Sequence, residues 1–382
     1  VSSAIFPIFY GALTLVKDEN DNVISDQVSF LGIEFNNDTL ISYVTAAAFL
    51  AVSFLSPLLS GIADYVGNKK IFMKFFCYLG SLSCIGLFWF NMDFLWFGLL
   101  CYFLALIGFW GSIVFYNSYL PDIAFNDQQD AVSAKGYALG YIGSVILLII
   151  CLMMILKYEA FGFQDEGLPT RLSFVLTGIW WIGFSQYTYF HLPKGNKKES
   201  FTKDLLFNGF KELKSIWKKI KINVPLKRYL GAFFVYSMAV QTIMLVATYF
   251  GIEELDWGKT DSTTGLIVSI LLMQIVAIFG AYLTSKSSER FGNISVLMVL
   301  NLIWIIICVF AYFITTPNEF YITAAFVGLV MGGIQALSRS TYSKLLPDDA
   351  VDTTSYFSFY DVSEKIGIVL GMVCYGYVAQ VT

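Results

Sequence analysis

Charge and histidine are what this sequence has least of. Only 14% of its 382 residues are Asp, Glu, Lys or Arg, against about 25% in an ordinary soluble domain, and His191 is the single histidine. A metal centre or a histidine-based acid/base site has little to be built from. The six cysteines, Cys77, Cys84, Cys101, Cys151, Cys308 and Cys374, lie inside apolar runs without paired spacing, and His191 stands two residues before Pro193 at the end of such a run. The cysteines read as small packing residues and His191 as an interfacial one; neither a metal nor a cofactor is called for. No signal-peptide pattern opens the chain, and the 16 residues before Lys17 are too few for a full span, so the sequence is expected to start inside its first helix. What fills the chain instead is apolar: 57% hydrophobic and 18% aromatic residues, with a mean hydropathy of +0.67. These residues fall in many runs of about 20, the length that crosses a hydrocarbon core of roughly 30 Å as helix. Lipid is the solvent this sequence is written for.

Apolar runs between charged or turn-rich breaks predict eleven helices, at 1–16, 39–62, 71–90, 94–117, 136–156, 172–192, 229–251, 262–284, 293–314, 320–342 and 354–380. The Lys and Arg residues are distributed unequally over the loops. Nineteen of the 24 follow even-numbered helices or adjoin their ends, only Lys17, Lys157, Arg171 and Lys259 fall on the other side, and Lys365 lies within the last helix. The positive-inside rule makes the even-numbered loops and the N-terminus cytoplasmic. The loop at 18–38 is then external, and a twelfth helix after Thr382 is expected to return the chain to the cytoplasm.

The chain repeats itself. Tyr116, Leu120, Pro121, Asp122 and Ala124 recur as Tyr342, Leu346, Pro347, Asp348 and Ala350, each displaced by 226 residues; Asp64, Gly67 and Asn68 recur as Glu289, Gly292 and Asn293, displaced by 225. Two separate motifs with nearly one offset imply a parallel repeat of six spans, a plan that resembles the major facilitator fold. The expected division is an N-terminal half at 1–193, a linker at 194–228 and a C-terminal half at 229–382. Within the linker Phe201, Leu205, Leu213, Ile216 and Ile220 make an apolar stripe among Lys203, Lys211, Lys214, Lys218 and Lys219, the pattern of an amphipathic helix on the cytoplasmic membrane surface. With no soluble module in the chain, this basic run does not point to nucleic acid.

The second loop reads G-I-A-D-Y-V-G-N-K-K, placing Gly61, Asp64, Gly67, Lys69 and Lys70 at the spacing of the major facilitator loop signature, with Glu289 and Arg290 as the weaker second copy. The gating reading has Gly61 permitting close helix approach and Asp64 facing a helix N-terminus; a turn with inside-positive charge explains the lysines alone. Further motifs, S-A-K-G-Y-A-L-G-Y-I-G-S at 133–144, G-G-I-Q-A-L-S-R-S at 332–340 and F-Y-D-V at 359–362, resemble the autophagy-related vacuolar amino-acid effluxer family and its bacterial relatives. The resemblance implies an all-α membrane protein of twelve helices that transports a small solute, with amino-acid export the role of the vacuolar members and the bacterial inner membrane the expected location. In the 133–144 motif Gly136, Gly140 and Gly143 are expected to let the fifth helix press against a neighbour. The proline of the family antiporter signature is absent there, so antiport is not implied.

In the major facilitator plan the first, fourth, seventh and tenth helices line the central path, which the resemblance extends to Tyr10, Asn117, Tyr236, Gln241, Gln335 and Arg339; Gln274 of the eighth helix is a further candidate. Each is either a substrate contact or an interhelical hydrogen bond, and Arg339 either an anion site or a snorkelling cation. The last predicted helix carries Asp361, Glu364 and Lys365 roughly 10 to 16 Å from its start, and ionisable residues at such depth mark functional pathways. Asp361 and Lys365 are spaced to pair along the helix as a structural ion pair. Glu364 then stands as the surplus carboxylate, either the proton-coupling candidate, its burial favouring the protonated form, or a carboxylate neutralised by Arg339 or by a residue of the expected twelfth helix. The expectation is a monomeric secondary transporter in the bilayer, working on a small-molecule substrate by alternating access. The other classes left open are a membrane-embedded enzyme, for which the acid/base and nucleophile inventory is poor, and a non-transporting sensor or scaffold.

Overall fold

The computed structural model describes residues 5–17, 23–25, 27–193, 195, 205–253, 255, 257, 262–347, 350 and 352–381. In chain order these form α1 (Ile5–Thr14), two antiparallel hairpins, β1 (Val16–Lys17) with β2 (Val23–Ser25) and β3 (Gln27–Phe30) with β4 (Ile33–Asn36), then α2 (Asn37–Val66), α3 (Lys69–Gly86) and α4 (Leu95–Asn117). Next along the chain are α5 (Leu120–Ile123), α6 (Gln129–Leu156), α7 (Gly167–His191), α8 (Leu205–Ile222), α9 (Val224–Glu253), α10 (Ser262–Phe291), α11 (Asn293–Ala311), α12 (Pro317–Lys344) and α13 (Thr353–Val381). Among the described residues eight helices, α2, α3, α4, α6, α9, α10, α11 and α12, are long and apolar enough to cross a membrane; α13 is as long but carries Asp361, Glu364 and Lys365.

Each of the eleven predicted spans overlaps a helix among the described residues. The ends differ, because hydropathy marks where lipid stops and not where the backbone ladder stops: α6 begins at Gln129, seven residues before its apolar run, and α10 continues to Phe291 through Ser285, Lys286, Ser288 and Glu289. The expected external loop at 18–38 is in part strand, with Gln27–Asn36 and Val28–Phe35 in register. At the repeated loop positions Gly67 has φ 72° and Gly292 has φ 80°, backbone that L side chains rarely adopt. Their ψ angles differ, 26° at Gly67 and 149° at Gly292, so the two loops share a positive φ at the repeated glycine and not a whole backbone conformation.

By packing the chain divides into two compact units, residues 1–116 with 147–209, and residues 117–146 with 210–382. In the first, small residues let helices meet backbone to backbone: a Cβ on Gly108 of α4 would collide with Gly80 of α3, and one on Gly178 of α7 with the Ser81 carbonyl of α3. Phe6 stacks on Tyr102 at 4.1 Å in an aromatic cluster that includes Phe90 and Phe174.

In the second unit the close approach is between α10 and α12. Gly328 and Gly332, one turn apart, take the carbonyls of Met273 and Ala277 where a Cβ would stand, and Gly280 does the same for Leu329. With no hydrophobic drive between helices in lipid, such van der Waals contact is what joins them. Ala134 of α6 is buried against Ala281 and Ala336, which seats α6 on this pair. Of the expected linker stripe, Ile216 and Ile220 are buried with Leu226 and Tyr229, Leu213 is half-buried, and Phe201 lies outside the described residues. Lys211, Lys214, Lys218 and Lys219 are exposed on the other faces of α8.

Candidate functional site

Polar side chains of α6, α9, α12 and α13 gather inside the second unit. Arg339 of α12 is 4% exposed. Its Nε donates to Ser133 Oγ at 3.0 Å, Nη2 to the Ser133 carbonyl at 3.1 Å and Nη1 to Asn117 Oδ1 at 3.2 Å, and the guanidinium lies 4.8 Å from the Tyr137 ring centre. Ser133 donates onward to the Ala336 carbonyl at 2.6 Å. Arg339 is thus a buried cation engaged by Ser133, Asn117 and Tyr137 and does not snorkel to water. On α6 one turn after Tyr137, Tyr141 donates to Gln335 Oε1 at 2.5 Å.

The same helices carry a row of phenols. Tyr236 shares a hydrogen bond with Ser338 Oγ at 2.7 Å, Tyr229 donates to the Ser338 carbonyl at 2.8 Å, and the two hydroxyls are 3.2 Å apart. Beyond them Gln241 donates to Glu364 Oε1 at 2.8 Å. The ammonium of Lys365, fully buried, is 2.5 Å from Asp361 Oδ1 and 3.3 Å from Glu364 Oε2. The Asp361–Lys365 pair is formed at the predicted spacing. The lysine also reaches Glu364, so one cation bridges two carboxylates and the three groups sum to one negative charge. Glu364 lies near the phenols of Tyr236 and Tyr360, and Tyr360 stacks on Phe233 at 4.0 Å.

A second polar cluster closes one end of this unit. Asp130 at the start of α6 accepts from Lys344 at 2.5 Å, from Asn293 at 2.7 Å and from Ser288 at 3.3 Å, tying it to the ends of α12, α11 and α10; Asn293 also donates to Thr341 at 3.1 Å.

The remaining predicted residues are separate from the seam. Tyr10 is buried among Phe6 and Phe90 and donates to the Asn37 carbonyl at 3.0 Å. Gln274 is on α10 with its Oε1 buried and without a hydrogen-bond partner among the described residues. In the loop signature Gly61 and Asp64 are buried and Gly67 caps α2, its N–H reaching the Ala63 carbonyl at 2.9 Å. Lys69 opens α3, and Lys70 donates to the Leu192 carbonyl at 2.9 Å, a cation at the C-terminal end of α7 where the helix dipole favours it. Glu289 and Arg290 are exposed at the end of α10, with Arg290 over its neighbour Phe291 at 5.3 Å.

Sequence reasoning missed Ser133, Tyr137, Tyr141, Ser338, Tyr360 and the Asp130 cluster. The signal was present: Ser133, Tyr137 and Tyr141 recur every fourth residue, one polar stripe on a membrane helix. The glycines between them are the more conspicuous pattern, and for Gly140 the packing expectation is corrected, because a Cβ there would meet no atom within 4 Å.

Comparison with known proteins places the chain and its fold. A family profile described as vacuole effluxer Atg22 like matches residues 16–382. The MFS-type transporter YxiO of Bacillus subtilis is 33% identical over an alignment covering 100% of this chain and 85% of that protein. Autophagy-related protein 22-2 of Aspergillus oryzae is 24% identical over 95% of this chain and 73% of its own length. Among solved structures the E. coli fucose:proton symporter FucP superposes with a TM-score of 0.66 at 16% identity, covering 90% of this chain and 85% of that one. The proton:xylose symporter XylE gives 0.64 at 10% identity, covering 99% and 85%. The fold is therefore that of the major facilitator transporters, and this multi-pass membrane protein belongs to the Atg22-like vacuole effluxer family.

Proposed function

We propose that the chain is a secondary transporter that moves a small polar organic solute by alternating access, with amino acids as the substrate class and Glu364 as the proton-coupling group. The observation that carries this reading is the ionisable trio of α13. Asp361, Glu364 and Lys365 sit about two to three turns into a membrane-depth helix, and Gln241 of α9 and the phenols around them supply the polar neighbours such charges need in lipid. Glu364, the surplus carboxylate of the trio, is the group assigned to exchange the proton. Amino acids fit because a zwitterion offers one charge of each sign, and the seam holds the Arg339 guanidinium for a carboxylate; the names of the fungal relatives and of the family favour the same class. The basic even-numbered loops favour an N-terminus on the cytoplasmic side.

Proteoliposomes loaded at one pH and diluted into another, offered a panel of amino acids, test the proposal. Wild type is expected to concentrate at least one of them when only a pH gradient is supplied. Glu364→Gln should abolish that accumulation yet keep exchange of substrate for substrate. A variant that still concentrates solute under a pH gradient removes Glu364 from coupling, and a wild type that moves no amino acid removes the substrate class.

A further inference from the structure

A groove of about 230 Å³ runs between α6 and α10, apart from the polar seam. Its floor is Ala131, Ala134 and Ala138 of α6 with Ser285 of α10, and an ammonium stands on each wall, Lys135 and Lys286. Both lysines are exposed, and among the described residues neither has an ion-pair partner. Glu289 is the one acid on the rim, leaving the groove with one net positive charge.

Each lysine heads an apolar, outward-facing stripe on its own helix. From Lys135 the same face of α6 continues through Leu139, Ile142 and Ile146; from Lys286 the same face of α10 runs back through Tyr282, Phe279 and Ile275, and all six side chains are exposed, Leu139 at 67% and Tyr282 at 64%. Two stripes thus lead away from a paired cationic end toward membrane depth, with a slot floored by methyl groups between them. A soluble anion uses only the lysines. A molecule with a phosphate at one end and hydrocarbon chains at the other uses all of it, since basic pockets between membrane helices bind anionic headgroups.

We propose that this groove is a binding site for one anionic phospholipid, its phosphodiester held between Lys135 and Lys286 and its acyl chains lying along the two stripes. Native mass spectrometry of the full chain in mild detergent, titrated with dioleoylphosphatidylglycerol, dioleoylphosphatidylcholine or inorganic phosphate, tests it. One phosphatidylglycerol per chain is expected to persist where phosphatidylcholine does not. Lys135→Gln with Lys286→Gln should weaken its retention roughly tenfold or more, the Lys135→Arg, Lys286→Arg pair should keep it, and Lys157→Gln should leave it unchanged. Ala138→Phe, which fills the slot and leaves both lysines, should lower retention too. Equal retention by wild type and the double Gln variant, or by wild type and Ala138→Phe, overturns the site. Binding of inorganic phosphate that the double Gln variant loses assigns the lysines to a soluble anion and overturns the lipid.

Discussion

The Arg339 guanidinium is shared between hydrogen bonds to Ser133 and Asn117 and the face of Tyr137. The ring's part is separable from the hydrogen bonds. Tyr137→Leu removes the π face and is expected to lower stability by about 1 to 2 kcal/mol, the range for a desolvated cation over a ring; Tyr137→Phe keeps the face and should melt nearer to wild type in detergent. At this scale the sequence was legible by residue type and not by partnership. Arg339, Asn117, Gln241 and Glu364 stand out because a polar group at membrane depth is costly. That Gln241 meets Glu364, 123 positions away, follows only from how α9 and α13 pack. Tyr10 shows the converse: its place on the first helix marked it, yet its hydroxyl donates to the Asn37 carbonyl.

Among the elements, α10 and α12 make the sharpest test of what a glycine is for. Gly332→Leu forces a side chain into the Ala277 carbonyl and is expected to cost about 1 to 3 kcal/mol as overpacking. Gly140→Ala meets open space and should be neutral or stabilising by about 0.5 to 1 kcal/mol through helix propensity. Melting temperatures of the two variants in one detergent compare them, and a destabilised Gly140→Ala would return that residue to helix packing. Helix number and order were legible from apolar runs of span length. Helix ends were not, since Gln129–Lys135 and Ser285–Phe291 are polar stretches that keep their backbone ladder after the hydrocarbon ends.

For the molecule as a transporter, the Asp130 cluster matters because it binds α6, from the first sequence repeat, to three helices of the second. On the proposed alternating-access mechanism, a tie between the two sequence repeats is expected to open. Asp130→Asn and Lys344→Gln should each raise the rate at which a maleimide labels a cysteine placed at Ala134, in a background without the six native cysteines. The two substitutions should also be non-additive, with a coupling of about 1 to 3 kcal/mol in a double-mutant cycle on stability. Additive effects and unchanged labelling would make the cluster a static brace. The repeat itself was legible from two motifs at one offset. The grouping of residues 117–146 with 210–382 was not, because it depends on long-range packing that no local pattern records.

The bond from Lys70 to the Leu192 carbonyl spans 122 positions and cannot form until residue 192 has left the ribosome. Every helix from α3 to α7 has then been synthesised, and the tie can join the start of α3 to the end of α7 before α10 to α13 are synthesised. Nascent chains acquire structure from the N-terminal side first, so this single ammonium can latch the early helices into a finished bundle while the later ones are still being translated.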